Sequence, residues 1–152
     1  MNEALKDVLA GAMRLLATRE HSQQELRRKL RQKGHADDLV EEAIAQLAVQ
    51  NLQSETRFVE NFINSHRERG QGPQRIRREL QQHNIDATLI DDYLDANNTA
   101  WLEKAMQVRQ KKFGDEIPDE LKERLRQVRF LEYRGFTHEQ INRVLCETDF
   151  ID

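Results

Sequence analysis

The spacing of the apolar residues constrains the fold of this chain more than any other feature. Apolar residues recur every three or four positions almost from end to end, which places them on one face of a helix in each segment. No stretch alternates apolar and polar residues long enough to predict a strand. Six Gly and two Pro in 152 residues are also too few for a turn-rich β-sandwich or barrel. The sequence therefore predicts an all-α protein.

Helix-capping residues divide this pattern into segments. Ser22 with Glu25 can form a capping box, as can the segment that begins at Thr137. Pro73 and Pro118 lie where helices are expected to begin, since a first-turn residue needs no backbone N–H donor. The nine predicted helices span about residues 4–19, 22–33, 36–49, 54–69, 73–83, 86–96, 98–113, 118–134 and 137–147.

The sequence repeats itself at an interval of about 50 residues. Leu30 aligns with Leu80 at an offset of 50 and with Leu131 at an offset of 101, and neighbouring apolar positions align in the same registers. Three helices fall in each interval, so we expect an elongated array of three tandem three-helix repeats that contain helix–turn–helix-like pairs. The predicted repeats span residues 1–50, 51–97 and 98–152.

The middle helix of the third repeat carries its own apolar stripe. Leu121, Leu125 and Val128 recur at helical spacing, which predicts that they face the core. Arg126 and Arg129 would then occupy outward positions beside this stripe.

Charge follows the same repeat, although the chain as a whole carries a formal charge of only −3. In each repeat the middle helix is basic and the third helix is acidic. The predicted middle helices, residues 22–34, 73–83 and 118–134, carry +4, +2 and +1, whereas the third helices, residues 36–49, 86–96 and 137–149, carry −4, −4 and −2. If like helices stack on like, one face of the molecule becomes a basic stripe.

This basic stripe is the strongest candidate for a functional site. It comprises Arg27, Arg28, Arg31, Arg75, Arg77, Arg78, Arg126 and Arg129. These side chains could pair with the acidic third helix of their own repeat, an interaction that is worth little at a surface. They could instead bind phosphates or acidic side chains of a partner. The sequence leaves both interpretations open. Few aromatic residues are interleaved with the arginines, so base stacking is not predicted.

Little in the sequence predicts catalysis or metal binding. One cysteine, Cys146, excludes an intramolecular disulfide and a Cys-rich zinc site, and the five His include no i,i+4 pair that could hold a metal. The segment from Gly70 to Pro73 lacks a following Lys-Ser/Thr, which disfavours a phosphate-binding loop. We therefore expect a protein that is not an enzyme and uses no cofactor, metal or small-molecule substrate.

Sequence-specific DNA reading and membrane insertion are also disfavoured. The acidic third helices would be repelled by the phosphates that line a DNA groove. No run approaches the roughly 18 apolar residues of a membrane span. The first twenty residues are rich in charge, unlike a signal peptide. We therefore expect a cytoplasmic protein with no membrane partner.

The chain also resembles one known family over almost its whole length. The resemblance rests on several short segments, each weak by itself but specific in this order and at this spacing. They are His21-Ser22-Gln23-Gln24-Glu25-Leu26 with Lys29-Leu30 and Lys33-Gly34, then Arg57-Phe58, then Gly70-Gln71-Gly72-Pro73 with Ile76 and Glu79-Leu80, and finally Arg129-Phe130-Leu131 with Arg134-Gly135-Phe136. On these residues the chain resembles the RecX regulatory proteins, which modulate the RecA recombinase. Asn84 stands where the second repeat of the family usually has glycine, and asparagine tolerates the left-handed backbone expected there.

The resemblance implies tandem three-helix repeats, in agreement with the repeat found in the sequence itself. It also implies binding in the groove of the RecA–DNA filament. Similar proteins thereby restrain filament growth, ATP hydrolysis, strand exchange and the repressor self-cleavage of the SOS response. We expect a monomer that acts in this way in DNA repair and recombination. Two alternatives remain: a helical protein that binds DNA directly and independently of RecA, and a passive adaptor whose charges only keep it soluble.

Overall fold

The computed structural model of the protein describes residues 2–146, and in this range it contains nine α-helices and no strand. The helices are α1 (Glu3–Thr18), α2 (Gln23–Gln32), α3 (Asp37–Val49), α4 (Glu55–Glu68), α5 (Pro73–Gln82), α6 (Ala87–Tyr93), α7 (Thr99–Phe113), α8 (Leu121–Arg134) and α9 (His138–Leu145). Helices α1–α3, α4–α6 and α7–α9 pack as three groups, which are called repeats 1, 2 and 3 below. The predicted all-α array of three-helix repeats is confirmed. Within the described range no helix has the length and apolar character needed to cross a membrane.

Helix α6 ends earlier than the predicted residue 96. Its last residue is Tyr93, because the following backbone forms a turn in which the Asp95 carboxylate accepts a hydrogen bond from the N–H of Asn97 at 2.9 Å. The Gln140 side chain of repeat 3 also donates to the carbonyl oxygen of Ala96 at 2.8 Å, which keeps that oxygen out of a helix. Residue 147, where the last helix was predicted to end, lies outside the described range.

The turn between the second and third helices is alike in all three repeats. Gly34, Asn84 and Gly135 occupy equivalent positions, at offsets of 50 and 101, with φ angles of +91°, +58° and +100°. This left-handed conformation is easy for glycine and tolerated by asparagine. Asn84 therefore preserves the turn, as expected. The two predicted capping boxes, one at Ser22 and the other at Thr137, are also present.

The repeat register found in the sequence corresponds to the packing of the core. Leu30, Leu80 and Leu131 are fully buried at equivalent sites. The buried apolar residues form two clusters, however, and not one for each repeat. Repeat 1 has a core of its own, whereas repeats 2 and 3 share a continuous core. The last two repeats are therefore joined by apolar packing that the first one lacks.

The start of α8 differs from the prediction. Pro118 is not in the helix, which begins at Leu121. The carbonyl oxygen of Pro118 accepts a hydrogen bond from Arg124 Nη1 at 3.1 Å, and the guanidinium of Arg109 donates to the carbonyl oxygen of Glu116 at 3.2 Å. Side chains therefore bind these carbonyl groups and hold the segment before α8 as an ordered loop.

The predicted inward face of α8 is wrong at two of its three residues, since only Val128 packs, partly buried, against the core. Leu121 and Leu125 are 70% and 44% exposed, and the buried positions of the helix are instead Gln127 and Leu131. Gln127 is buried beside Arg109, which is only 2% exposed and donates a hydrogen bond to Gln127 Oε1 at 3.3 Å. A buried guanidinium needs oxygen partners. An amide therefore stands at the site that Leu26 and Ile76 fill in the other two repeats. Helix α8 buries the same face as α2 and α5, but the polar residue at one inward position hides that face from the apolar pattern of the sequence.

Two different joints connect the repeats. Between repeats 1 and 2 the contacts are polar: Glu55 Oε1 accepts a hydrogen bond from the backbone N–H of Gln23 at 2.9 Å, and Arg57 pairs with Glu20 at 2.9 Å. Between repeats 2 and 3 the backbone itself is joined, since the N–H of Gly72 donates to the carbonyl oxygen of Arg134 at 2.7 Å. The three middle helices are thus held in a fixed order along the molecule.

Candidate functional site

The middle helices α2, α5 and α8 carry all eight arginines of the predicted basic stripe. The structure separates these residues into two groups, according to whether an acidic side chain of the same chain binds them. The paired group is Arg27, Arg31, Arg75, Arg77 and Arg126, and the unpaired group is Arg28, Arg78 and Arg129.

Arg27 and Arg77 fasten the middle helix to the third helix in repeats 1 and 2. Arg27 Nη2 donates to Glu41 Oε1 at 2.9 Å, and Arg77 Nη1 donates to Asp91 Oδ1 at 2.6 Å. The hydrogen bond from Arg27 holds the pKa of the Glu41 carboxyl below its ordinary value. The two pairs occupy equivalent positions in their repeats. In each pair the carboxylate residue follows the arginine by 14 residues. These two arginines therefore bind their own repeat, as the first of the two interpretations predicts.

Arg31 and Arg126 are also paired within the chain. Arg31 Nε lies 2.9 Å from Asp37 Oδ1 at the start of α3. Arg126 donates to Glu123 at 2.8 Å, one turn earlier on α8, and its guanidinium carbon lies 5.1 Å from the centre of the Phe113 ring. Such exposed pairs add little stability, but they neutralise part of the charge on α2 and α8.

The unpaired arginines share one position in the repeat. Arg28, Arg78 and Arg129 are related by the same offsets of 50 and 101 residues, and all three are exposed. Within residues 2–146 no hydrogen bond or ion pair engages their guanidinium groups. The sequence places these three arginines in the stripe. It cannot distinguish Arg28 and Arg78 from Arg27 and Arg77, which directly precede them in the chain.

Packing between α2 and α5 brings two of the unpaired arginines to one surface. Arg28 of α2 and Gln82 of α5 line the same cleft. Arg78 precedes Gln82 by four residues on α5, and side chains at this spacing lie on the same face of a helix. The faces of α2 and α5 that carry Arg28 and Arg78 therefore adjoin.

Packing between α5 and α8 continues the surface into repeat 3. The guanidinium carbon of Arg75 lies 5.5 Å from the centre of the Tyr133 ring on α8. Arg78 is one turn after Arg75, and Arg129 is one turn before Tyr133. We call Arg28, Arg78 and Arg129 the exposed arginine row. Tyr133 was not among the predicted site residues, although its spacing of four residues from Arg129 was visible in the sequence.

The arrangement of His, Cys, Asp and Glu side chains shows whether the described residues could hold a metal ion. Between residues 2 and 146 no group of three or more His, Cys, Asp and Glu side chains is arranged to hold a metal ion. The acidic residues of α3 and α6 that face the middle helices serve as ion-pair partners instead, as Glu41 and Asp91 show.

Comparison with family models gives a match in each repeat. The model of the first three-helix domain of RecX matches residues 10–47, that of the second domain matches residues 54–94, and that of the third domain matches residues 100–145. The regulatory protein RecX of Pseudomonas entomophila is 45% identical over 141 residues, which cover 93% of this chain and 91% of that protein. The RecX of Halorhodospira halophila is 41% identical over 148 residues, which cover 97% of this chain and 90% of that protein.

Solved structures show the same fold. The crystal structure of RecX from Lactobacillus salivarius aligns with a TM-score of 0.81 and 19% identity, covering 99% of both chains. A second crystal structure, of a regulatory protein RecX, aligns with a TM-score of 0.77 over 93% of this chain and 71% of that one. Together with the three domain matches and the 41–45% identity to full-length relatives, the repeat architecture establishes that this chain belongs to the RecX family of regulatory proteins.

Proposed function

We propose that this protein binds the RecA–DNA filament and restrains the activities of RecA in DNA repair, recombination and the SOS response. It does so as a cytoplasmic monomer without catalysis of its own. Membership of the RecX family supports this function, since the regulatory role of the family is tied to RecA. The observation that carries the proposal is the exposed arginine row, which recurs at one position in all three repeats.

Physical chemistry explains why such a row suits a nucleoprotein filament. A filament is a repeating structure that presents phosphates and acidic side chains at regular intervals. A tandem-repeat protein with one unpaired cation in each repeat can make an equivalent contact three times, and each contact adds to the same affinity. Guanidinium groups that lack an intramolecular counter-ion need break no internal pair before they bind a phosphate.

The proposal also separates binding from structure among the basic residues. Arg27 and Arg77 hold Glu41 and Asp91, so reversal of their charge would disturb the repeats themselves. The triple variant Arg28→Glu/Arg78→Glu/Arg129→Glu leaves those pairs in place. It therefore tests the surface without removing a contact that the fold uses.

The test measures RecA ATP hydrolysis on single-stranded DNA with increasing amounts of this protein. We expect the wild type to inhibit hydrolysis, and the triple variant to need at least about ten times more protein for the same inhibition at physiological salt. The matched control is Lys6→Glu/Arg14→Glu/Arg143→Glu, which makes the same change of charge at exposed sites on α1 and α9. The control should inhibit like the wild type.

Two results would overturn the proposal. One is full inhibition by the arginine triple variant with its helix content intact. The other is loss of inhibition on reversal of Asp92 to Lys, an exposed acidic side chain on α6 with no ion pair in the described structure. We expect that reversal to spare or strengthen binding. If it abolishes binding instead, the acidic third helices hold the partner.

A further inference from the structure

A cleft between repeats 2 and 3 gathers five cations that lie outside the exposed arginine row. They are Arg69, Lys104, Lys111, Lys112 and Arg134, which together with Phe130 line a space of about 370 Å³. Glu68 is the one acidic residue among those that line this cleft in the described chain. Such an excess of positive charge stands out in a protein whose formal charge is −3.

Helix α7 supplies three of these cations. Lys104 and Lys111 are separated by two helical turns, so they lie on one face of the helix about 10 Å apart along its axis. The ammonium nitrogen of Lys112 lies 5.9 Å from the centre of the Phe130 ring. Within residues 2–146 none of the three lysines forms a hydrogen bond or an ion pair. These three lysines lie on the first helix of repeat 3, outside the basic middle helices to which the sequence pattern points.

Arg134 closes the cleft from the end of α8. Its Nη1 donates to the carbonyl oxygen of Arg69 at 3.1 Å, and its guanidinium carbon lies 5.3 Å from the centre of the Phe130 ring. Gly70 makes room for this arrangement, since a Cβ there would lie 3.1 Å from both Arg134 Nη1 and Val108 Cγ2. The guanidinium is therefore held in place before any ligand arrives, which reduces the entropy lost on binding.

We propose that this cleft binds the phosphodiester backbone of single-stranded nucleic acid directly, without RecA. Among the residues that the structure describes, these cations have no ion-pair partner, and the spacing of Lys104 and Lys111 suits a chain of phosphates that passes along α7. Lys112, Arg134 and the edge-on ring of Phe113, at 5.2 Å between ring centres, crowd the Phe130 ring, so no open aromatic face remains for a stacked base. The contact is therefore to the backbone and independent of sequence.

The shape of the cleft favours a single strand over two other ligands. A concave site between the end of α4 and helices α7 and α8 admits one flexible chain, whereas a duplex is a rigid rod that meets only its rim. An acidic peptide would gain affinity from an apolar anchor in a pocket, and the apolar floor here is covered by Arg134 and Lys112. This inference goes beyond the proposed function, because it concerns naked nucleic acid and a different surface.

The experiment is fluorescence anisotropy with a short labelled oligothymidylate and no RecA. The variant Lys104→Gln/Lys111→Gln/Lys112→Gln should weaken binding at least about tenfold at low salt. For three phosphate contacts on a single strand, the plot of log affinity against log salt concentration should become shallower by about two units. The matched control, Lys6→Gln/Lys33→Gln/Lys122→Gln, removes three exposed lysines outside the cleft and should bind within about twofold of the wild type.

Three outcomes would overturn the inference. They are equal binding by the cleft variant and the wild type, equal or tighter binding of a duplex of the same length, and binding of a glutamate-rich peptide through the same lysines with no binding of the oligonucleotide. Because the assay contains no RecA, its failure leaves the proposed function untouched. Likewise, if the arginine triple variant still inhibits RecA ATP hydrolysis fully, the proposed function fails, but the oligonucleotide assay still tests the cleft.

Discussion

Gly72 and Gly135 bring two turns of the chain into direct backbone contact. A Cβ built on Gly72 would overlap the carbonyl group of Gly135 and the backbone nitrogen of Phe136. The N–H of Gly72 donates to the carbonyl oxygen of Arg134 at 2.7 Å, and the N–H of Gln74 donates to that of Gly135 at 2.9 Å. The absence of side chains at both turns therefore allows repeats 2 and 3 to dock closely enough to share a core.

Replacement of Gly72 by alanine should loosen this joint. The φ of Gly72 is −88°, which alanine adopts readily, so the cost comes from the overlap with repeat 3 and not from local strain. We expect a loss of about 1–3 kcal/mol in the free energy of unfolding, with faster hydrogen exchange at the ends of both α5 and α8. Gly11→Ala is the control, because a Cβ there meets Leu30 Cδ2 at an ordinary 3.4 Å in the middle of α1. A Gly72→Ala protein as stable as the wild type would show that the turns can separate without cost.

The sequence predicted the architecture because the architecture is local and repeated. Leu30, Leu80 and Leu131 obey one helical period inside each repeat, and each repeat supplies the same pattern again. The joint between Gly72 and Gly135 could not be predicted in this way. It depends on how two turns that are distant in sequence approach each other, and no periodic pattern records that approach.

Truncation of the repeated leucines tests the register of the core. Leu30→Ala and Leu80→Ala should each cost about 2–5 kcal/mol, since both side chains are fully buried and each truncation leaves a cavity. Leu125→Ala on α8 should cost less than about 0.5 kcal/mol, because Leu125 is 44% exposed. Denaturant unfolding of the three variants provides the measurement. A large loss at Leu125 would restore the inward face that the sequence predicted for α8.

The candidate site was only partly predictable for a related reason. The sequence alone identifies all eight arginines of the stripe, and the offset of 50 residues relates Arg27 to Arg77. Which of them remain unpaired depends on the distance from each guanidinium to a carboxylate on the next helix. That distance is set by helix packing, as the pairs with Glu41 and Asp91 show.

Acidification should destabilise the folded protein through His21 of repeat 1. The ring is buried, with Nδ1 donating to the carbonyl oxygen of Arg19 at 3.0 Å and Nε2 accepting from Lys29 Nζ at 3.1 Å. Burial lowers the pKa of His21; the carbonyl of Arg19 and the carboxylate of Glu25 oppose that shift, while the charges of Arg19 and Lys29 reinforce it. Below about pH 6.5 the unfolded chain therefore binds a proton that the folded chain does not, and the free energy of unfolding falls until the lower folded pKa is reached.

The control for this pH effect is another histidine. His21→Gln should flatten the dependence of stability on pH between about 7 and 5, leaving the part due to His66, whose pKa is also lowered by burial. His138→Gln changes an exposed side chain and should leave the profile as in the wild type. Thermal unfolding of both variants and the wild type, measured at several pH values across this range, gives the three profiles to compare. A profile that His21→Gln leaves unchanged would contradict the assignment.

The buried pair of Arg109 and Gln127 makes a prediction about coupling. Arg109 Nη1 donates to Gln127 Oε1 at 3.3 Å, and the same guanidinium donates to the carbonyl oxygens of Asp115 and Glu116. Burial lowers the pKa of Arg109, and the nearby charge of Asp115 opposes that effect. Gln127→Leu places at this site the residue type that repeat 1 uses, but it leaves a buried cation one partner short. We expect a loss of about 1–3 kcal/mol.

Removal of both polar groups should cost less than the sum of the single changes. In Arg109→Leu/Gln127→Leu no buried charge remains at this site, and an apolar pair fills the space. Arg109→Leu by itself frees the carbonyl groups of Asp115 and Glu116, which loosens the loop before α8. A double-mutant cycle by denaturant unfolding should therefore give a coupling energy of about 1–2 kcal/mol that favours the double variant. If the two losses are simply additive, Arg109 is not the reason that an amide occupies this buried position.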